Sequence, residues 1–301
     1  MIVDWINSYI KKLSESNPFT NTIGLARSLL ALSLFMTLAF NDVDLLFSNP
    51  NQDQFCLSVI QKFSIYCLFG QENFLYAKMI SISILVISIV GIYPRYTGIF
   101  HWWVSISFFI SSPYVDGGDQ ITSILTFLLI PITLLDSRKW HWKNSVKITS
   151  ITKNLIANIS HKVIRVQVCI VYLHAVIAKL ELQEWIDGTI IYYWFTHITF
   201  GLNSFLRPII LPIVTNNILV FSTTWTVLTL ELILFTCIFS NQNLRYLMLF
   251  LGLFFHFLIF IVHGLGTFGL SMSAALILYL YPIDKNIFAL FKKSSKQLHT
   301  F

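Results

Sequence analysis

Long apolar stretches follow one another along nearly the whole chain, and this constrains the fold more than any other feature. A helix that crosses a bilayer needs about 17–25 mainly apolar residues. Eight segments meet that requirement, at about 22–40, 75–93, 97–115, 120–136, 161–182, 214–239, 245–263 and 267–283. A further stretch, 188–212, is apolar and aromatic but is broken by Gly201, Pro208 and Pro212. It predicts a re-entrant or interfacial helix in place of a full crossing. Inside hydrocarbon each backbone N–H and C=O must find its partner within the protein. The predicted fold is therefore all-α, a polytopic transmembrane helical bundle of about eight spans plus that interfacial helix. Composition agrees: of 301 residues 55% are hydrophobic and 11% charged, whereas a soluble domain carries about a quarter charged. The 27 Phe, 12 Tyr and 8 Trp suit a lipid-facing surface with interfacial belts.

Lys and Arg set the expected orientation. With the N-terminus inside, the cytoplasmic side holds Lys11, Lys12, Arg95, Arg138, Lys139, Lys143, Lys147, Lys153, Lys162, Arg245, Lys285, Lys292, Lys293 and Lys296. The outer side holds little beyond Lys62, Lys78 and Arg207. Both termini are therefore expected in the cytoplasm, with Trp140 and Trp142 anchoring the 137–160 loop at the interface. Trp5, Ile6, Tyr9, Ile10 and Leu13 recur at helical spacing beside Lys11 and Lys12. That pattern suits a helix lying in the membrane surface, the alternative being a poorly ordered terminus. The expected organisation is an interfacial segment over 1–20, a bundle over 21–284 and a basic cytoplasmic tail over 285–301. The basic residues cluster only beside apolar segments, which gives no nucleic-acid footprint.

Cys169 and Cys237 lie within apolar stretches and read as packed thiols. Cys56 and Cys67 lie in a more polar segment and are candidates for a disulfide if it faces an oxidising compartment. No His-Glu-x-x-His or Cys-x-x-Cys occurs, so neither a metalloprotease nor a thioredoxin-like site is expected, and no metal is assigned.

Ionisable groups within spans are costly and point to function. The fifth span is the richest, with Arg165, Gln167, Tyr172, His174 and Lys179 followed by Glu181. At about 100° per residue, Tyr172 and Lys179 share a face, and Arg165 falls near the same stripe. Lys179 has three readings: it snorkels to the outer headgroups, it pairs with Glu181, Glu184 or Asp187, or it is a general base. His256 and His263 are likewise seven apart on one face of the seventh span, which suits a proton path or polar cavity as well as packing. Their separation of roughly 10 Å suits a metal poorly. Asp116-Gly-Gly-Asp119 forms a turn in which Asp119 caps the fourth span or lines an outward cavity near Lys179. Arg27 and Glu231 are isolated opposite charges in the first and sixth spans, each a candidate for an interior pair.

Tyr172-Leu-His-Ala-Val-Ile-Ala-Lys179-Leu180, with Trp185 and Gly188, resembles the signature span of the HTTM superfamily, which includes vitamin-K-dependent γ-glutamyl carboxylase. Phe255-His256 followed by Phe268-Gly-Leu-Ser-Met272 resembles the superfamily's second block. Asn17-Pro-Phe-Thr-Asn21, Gly24-Leu-Ala-Arg27-Ser-Leu-Leu-Ala31, the Asp116–Asp119 turn and Trp140-His-Trp142 resemble its SdpB branch, the membrane proteins of sporulation-delaying-type bacteriocin operons. The superfamily resemblance implies that Lys179 stands where the carboxylase keeps the base that deprotonates a reduced quinone, and that His256 matches a histidine of that region. Where the carboxylase pattern has a second lysine directly before its base, this chain has Ala178. The branch resemblance implies a protein of the bacterial cytoplasmic membrane that acts with a co-encoded partner subunit on a toxin precursor peptide. The expected catalytic set is Lys179, His256, Tyr172, His174 and His263. The alternatives are a non-catalytic scaffold or export partner for the precursor and, third, a transporter, against which the lack of visible repeat symmetry counts.

Overall fold

The architecture is built around its last long helix. The computed structural model describes residues 2–47, 56, 58–143 and 150–288, so the expectations for Lys147, Lys292, Lys293, Lys296 and the tail beyond 288 lie outside the described residues. The elements in chain order are α1 (Ile2–Glu15), α2 (Asn21–Phe40), α3 (Val43–Phe47), α4 (Ile65–Phe69), α5 (Phe74–Val90), α6 (Pro94–Ser111) and α7 (Gly117–Leu135). There follow α8 (Ile151–Leu180), α9 (Gln183–Ile186), α10 (Ile190–Thr196), α11 (Arg207–Val214), α12 (Asn217–Thr236), α13 (Gln242–His263) and α14 (Gly266–Leu280). Among the described residues the sole β pairing is one isolated antiparallel bridge, Ile92 with Trp140. The chain is thus an all-α helical bundle.

Eight helices coincide with the eight apolar segments. Six of these stretches are long and apolar enough to cross a membrane: Asn21–Phe40, Gln71–Val90, Gly117–Leu135, Ile151–Leu180, Asn217–Phe239 and Gln242–His263. The other two differ for separate reasons. α6 carries Arg95, His101 and three serines, which dilute its hydropathy. α14 has 15 residues, about 22 Å at 1.5 Å per residue, short of a hydrocarbon core of about 30 Å. It does not need to face lipid, because α2, α7, α8 and α13 pack around it and its run from Ala274 to Leu280 is wholly buried. Inside such a bundle a hydroxyl requires a partner, and Ser271 of α14 has two. It donates to Ser33 Oγ at 2.8 Å and lies 2.8 Å from Thr122 Oγ1, joining α14 to α2 and α7.

A second core unites the later half of α2 with α3, α4, α5 and α6. Here Phe47 packs its ring against Tyr66, Phe74 and Phe108. At this end of the bundle Cys56 and Cys67 are joined by a disulfide. Cys169 and Cys237 are free and buried.

At the opposite end the start of α2 meets the segment that follows α14. Thr20 donates its hydroxyl to the Ile283 carbonyl, and Thr22 donates to Lys285 O at 2.7 Å. Residues 136–143 dock there too, because the His141 ring enters a slot between helices. That slot exists because Gly24 and Gly91 lack side chains: a Cβ on Gly91 would come within 2.2 Å of the imidazole, and one on Gly24 within 2.9 Å. Gly91 also has φ +86°, ending α5 in the left-handed conformation. In the slot His141 lies 3.3 Å from Arg27 through Nδ1 and 3.3 Å from Ser28 Oγ through Nε2. The Arg27 guanidinium is thus shared by His141 and Thr97. Burial and the neighbouring Arg27 and Arg138 cations depress the His141 pKa to about 2.

Candidate functional site

The richest concentration of polar chemistry within the bundle surrounds the C-terminal half of α8. Its face carries Arg165, Tyr172 and Lys179 at sevenfold spacing, the first two buried. Lys179 crosses to α12, where Glu231 awaits it. The ammonium lies 2.9 Å from Oε1 and 2.8 Å from Oε2, so both carboxylate oxygens share the charge. The same ammonium stands 5.4 Å from the centre of the Trp185 ring on α9, a cation–π distance. The local acids Glu181, Glu184 and Asp187 lose the competition for Lys179. All three are exposed, and a carboxylate left in water gains little from an ion pair.

From α13 His256 reaches the same region. Its Nε2 lies 3.2 Å from the Tyr172 hydroxyl, its ring meets Phe268 edge-on at 5.6 Å, and its Nδ1 has no hydrogen-bond partner among the described residues. One turn beyond, Gly252 and Gly269 let α13 and α14 approach closely. His263, two turns from His256 along α13, donates from Nδ1 to Phe200 O at 2.6 Å. Its ring also packs against Trp194 and Phe195.

These groups line one cavity of about 760 Å³. Lys179, Glu231, His256, His263 and His197 are its ionisable lining, and Trp185, Trp194 and Phe255 are among its aromatic walls. Tyr172 is buried behind His256 and meets the cavity only through it. The segment 188–212 supplies a wall, with a form that differs from the expected single helix. It is two short helices, α10 and α11, separated by an irregular turn at 197–206. Gly201 permits the turn: a Cβ there would lie 2.2 Å from His197 O.

Two sequence expectations need correction. His174 is exposed, because two positions from Tyr172 is about 200° around the helix, and it does not line the cavity. Asp116, not Asp119, is the N-cap of α7; Asp116 Oδ1 accepts from Asp119 N–H at 2.9 Å while Asp119 Oδ2 accepts from Asp116 N–H at 3.1 Å. That reciprocal capping box occupies both carboxylates, and neither lines the cavity. Arg165 lies on the Lys179 stripe as expected, about 21 Å away along α8 by its rise, and donates from Nε to Tyr279 O at 2.9 Å. Sequence reasoning missed His197 and the identity of the Lys179 partner. A buried carboxylate in an apolar span was the available signal for the second.

The chain is 38% identical over 286 residues to YitO of Bacillus subtilis (strain 168), covering 94% of this chain and 92% of that protein. It is also 38% identical over 288 residues to the sporulation-delaying protein SdpB of the same organism, covering 94% and 88%. The chain belongs to the SdpB-like family. No family model matches it, and no solved structure does. Both SdpB-like relatives align with nearly the full chain, so the likeness takes in the whole bundle, and the Lys179 cavity lies within it.

Proposed function

We propose that this SdpB-like protein is a membrane component in the production of a secreted peptide toxin, oriented with both termini in the cytoplasm. In this reading the cavity around Lys179 faces outward and is the place where an apolar reactant is held for modification of the toxin precursor. One observation carries it: a lysine and a histidine from different helices converge on an apolar cavity, each with a positioned partner, Glu231 and Tyr172. Two positioned polar pairs at one largely apolar cavity are more than packing requires.

A reduced quinone fits this donor set, with flat aromatic side chains for a ring and Lys179 and His256 as its polar wall. The cavity volume of about 760 Å³ falls within the roughly 300–1,000 Å³ range of small-molecule sites. Such a group, when bound and oxidised by dioxygen, would supply the strong base that carboxylation of a glutamyl side chain needs, with carbon dioxide as the source of the new carboxyl. The chain's own residues have simpler tasks. Glu231, at 2.8–2.9 Å, accepts a proton from the Lys179 ammonium, and the resulting amine removes one from a bound acid. Tyr172 fixes the orientation of the His256 ring through Nε2, which leaves Nδ1 as the free polar atom. The aromatic walls and the α10–α11 segment keep bulk water away from the pair.

The scaffold reading draws on a different observation, that Lys179 is already neutralised by Glu231. A paired lysine serves structure without chemistry. The two readings separate by mass spectrometry of the secreted peptide, comparing wild type with Lys179→Ala at matched membrane abundance. Loss of the mature product, or of one modification on it, supports a chemical role. An identical product from both proteins overturns that role and leaves the protein an assembly or export partner.

A further inference from the structure

The end of the bundle remote from the cavity carries an unneutralised cationic corner. α8 has 30 residues, about 45 Å at 1.5 Å per residue, and so outruns a hydrocarbon core of about 30 Å. α1 lies along the surplus. Asn158 donates to Leu13 O at 2.8 Å and Ser16 O at 2.9 Å, and Asn154 donates to Ser14 O at 3.1 Å. Held this way, α1 leaves Val3, Trp5, Ile6, Tyr9 and Ile10 exposed, and the Trp5 and Tyr9 rings stack at 5.7 Å. An exposed apolar and aromatic face beside lysines is the form of a helix seated in the headgroup boundary.

At this level four cations gather. Lys12 of α1, Arg165 of α8 and Arg245 of α13 lie within electrostatic reach of Lys162 of α8, and Asp284 is the acid that acts on it. Neither Lys12 nor Lys162 has an ion-pair partner among the described residues. Arg245 is fixed by donating to Cys237 O at 3.1 Å and Ile238 O at 2.8 Å. Arg165 is nine-tenths buried and sits over the Tyr279 ring at 5.9 Å. Its Nε is bonded, but its Nη2 has no hydrogen-bond partner among the described residues. A buried guanidinium N–H without an acceptor is costly, and four cations facing one carboxylate add mutual repulsion.

We propose that this corner binds the phosphate headgroup of an anionic membrane lipid, between Lys12, Lys162, Arg165 and Arg245. The phosphate oxygens neutralise the lysines and offer the arginine its missing acceptor. The lipid is favoured over a free anion because the exposed apolar face of α1 adjoins the cations and places acyl chains beside them.

The test uses the full chain purified in detergent and native mass spectrometry with added phosphatidylglycerol or phosphatidylcholine. Wild type is expected to retain phosphatidylglycerol preferentially. Each basic residue at an anionic surface contributes about fivefold to binding, so Lys12→Gln with Lys162→Gln lowers that retention roughly twenty-five-fold, and Lys12→Arg with Lys162→Arg preserves it. Lys12 is exposed and Lys162 partly so, and neither bears on the core, so the variants fold. Equal retention of the two lipids, or undiminished phosphatidylglycerol on the Gln variant, overturns the proposal. Thermal stabilisation by inorganic phosphate equal to that by phosphatidylglycerol overturns the lipid as the source.

Discussion

Replacing Lys179 by Met strands the Glu231 carboxylate, whose side chain is only 7% exposed. Breaking a buried pair by removing one member costs about 3–5 kcal/mol, and the lower figure applies because the Lys179 side of the pair is 24% exposed. Glu231→Gln strands the ammonium instead, which at 24% exposure has a route to solvent; about 1.5 kcal/mol is expected. Removing both charges together leaves no uncompensated ion, and a cost of about 1.5 kcal/mol is expected from packing and the lost cation–π contact. The coupling energy from the four proteins is then about 3 kcal/mol. Unfolding in mixed micelles, followed by helical circular dichroism at constant lipid, measures it. A coupling below about 0.5 kcal/mol refutes the pair as built. The double variant also serves the functional question: if it accumulates like wild type yet yields no mature toxin, the lysine is needed for more than folding.

Two further predictions concern the His141 slot at the other end. His141 is held neutral well below the ordinary imidazole value of 6.5, so the folded state binds no proton there as pH falls while the unfolded state does; stability present above about pH 6.5 is lost below it by up to about 1.4 kcal/mol per unit. Thermal unfolding between pH 7.5 and 5 should show a slope in wild type that is shallower in His141→Asn by up to about 1.4 kcal/mol per pH unit below 6.5, and an unchanged slope refutes the assignment. Gly91→Ala places a Cβ against the imidazole at 2.2 Å and on a backbone at φ +86°; a loss of about 2–4 kcal/mol is expected, seen as lowered membrane abundance and melting temperature, and wild-type values refute the tight slot.

Much of the bundle was legible because lipid simplifies the rules. A run such as 214–239 or 245–263 has one stable option in hydrocarbon, a helix with its backbone bonds closed internally. The sequence therefore located eight helices, and sevenfold spacing put Tyr172 with Lys179 and His256 with His263. What it supplied was always local: a stripe on a helix, a break at Gly201 and Pro208, a capping turn at 116–119.

Pairings between distant elements were decided by the tertiary structure alone. Lys179 had three acids within eight residues and chose Glu231, 52 positions away, because a charge pair strengthens where water is scarce and the nearer acids stay wet. Arg27 found His141 across 114 positions through a slot left by two glycines. α14 became the centre, and not a lipid-facing span, because four neighbours wrap it and satisfy Ser271. The physical reason is common to all of these: periodicity fixes which face a side chain occupies, while burial and desolvation, which choose its partner, exist only once the helices are packed.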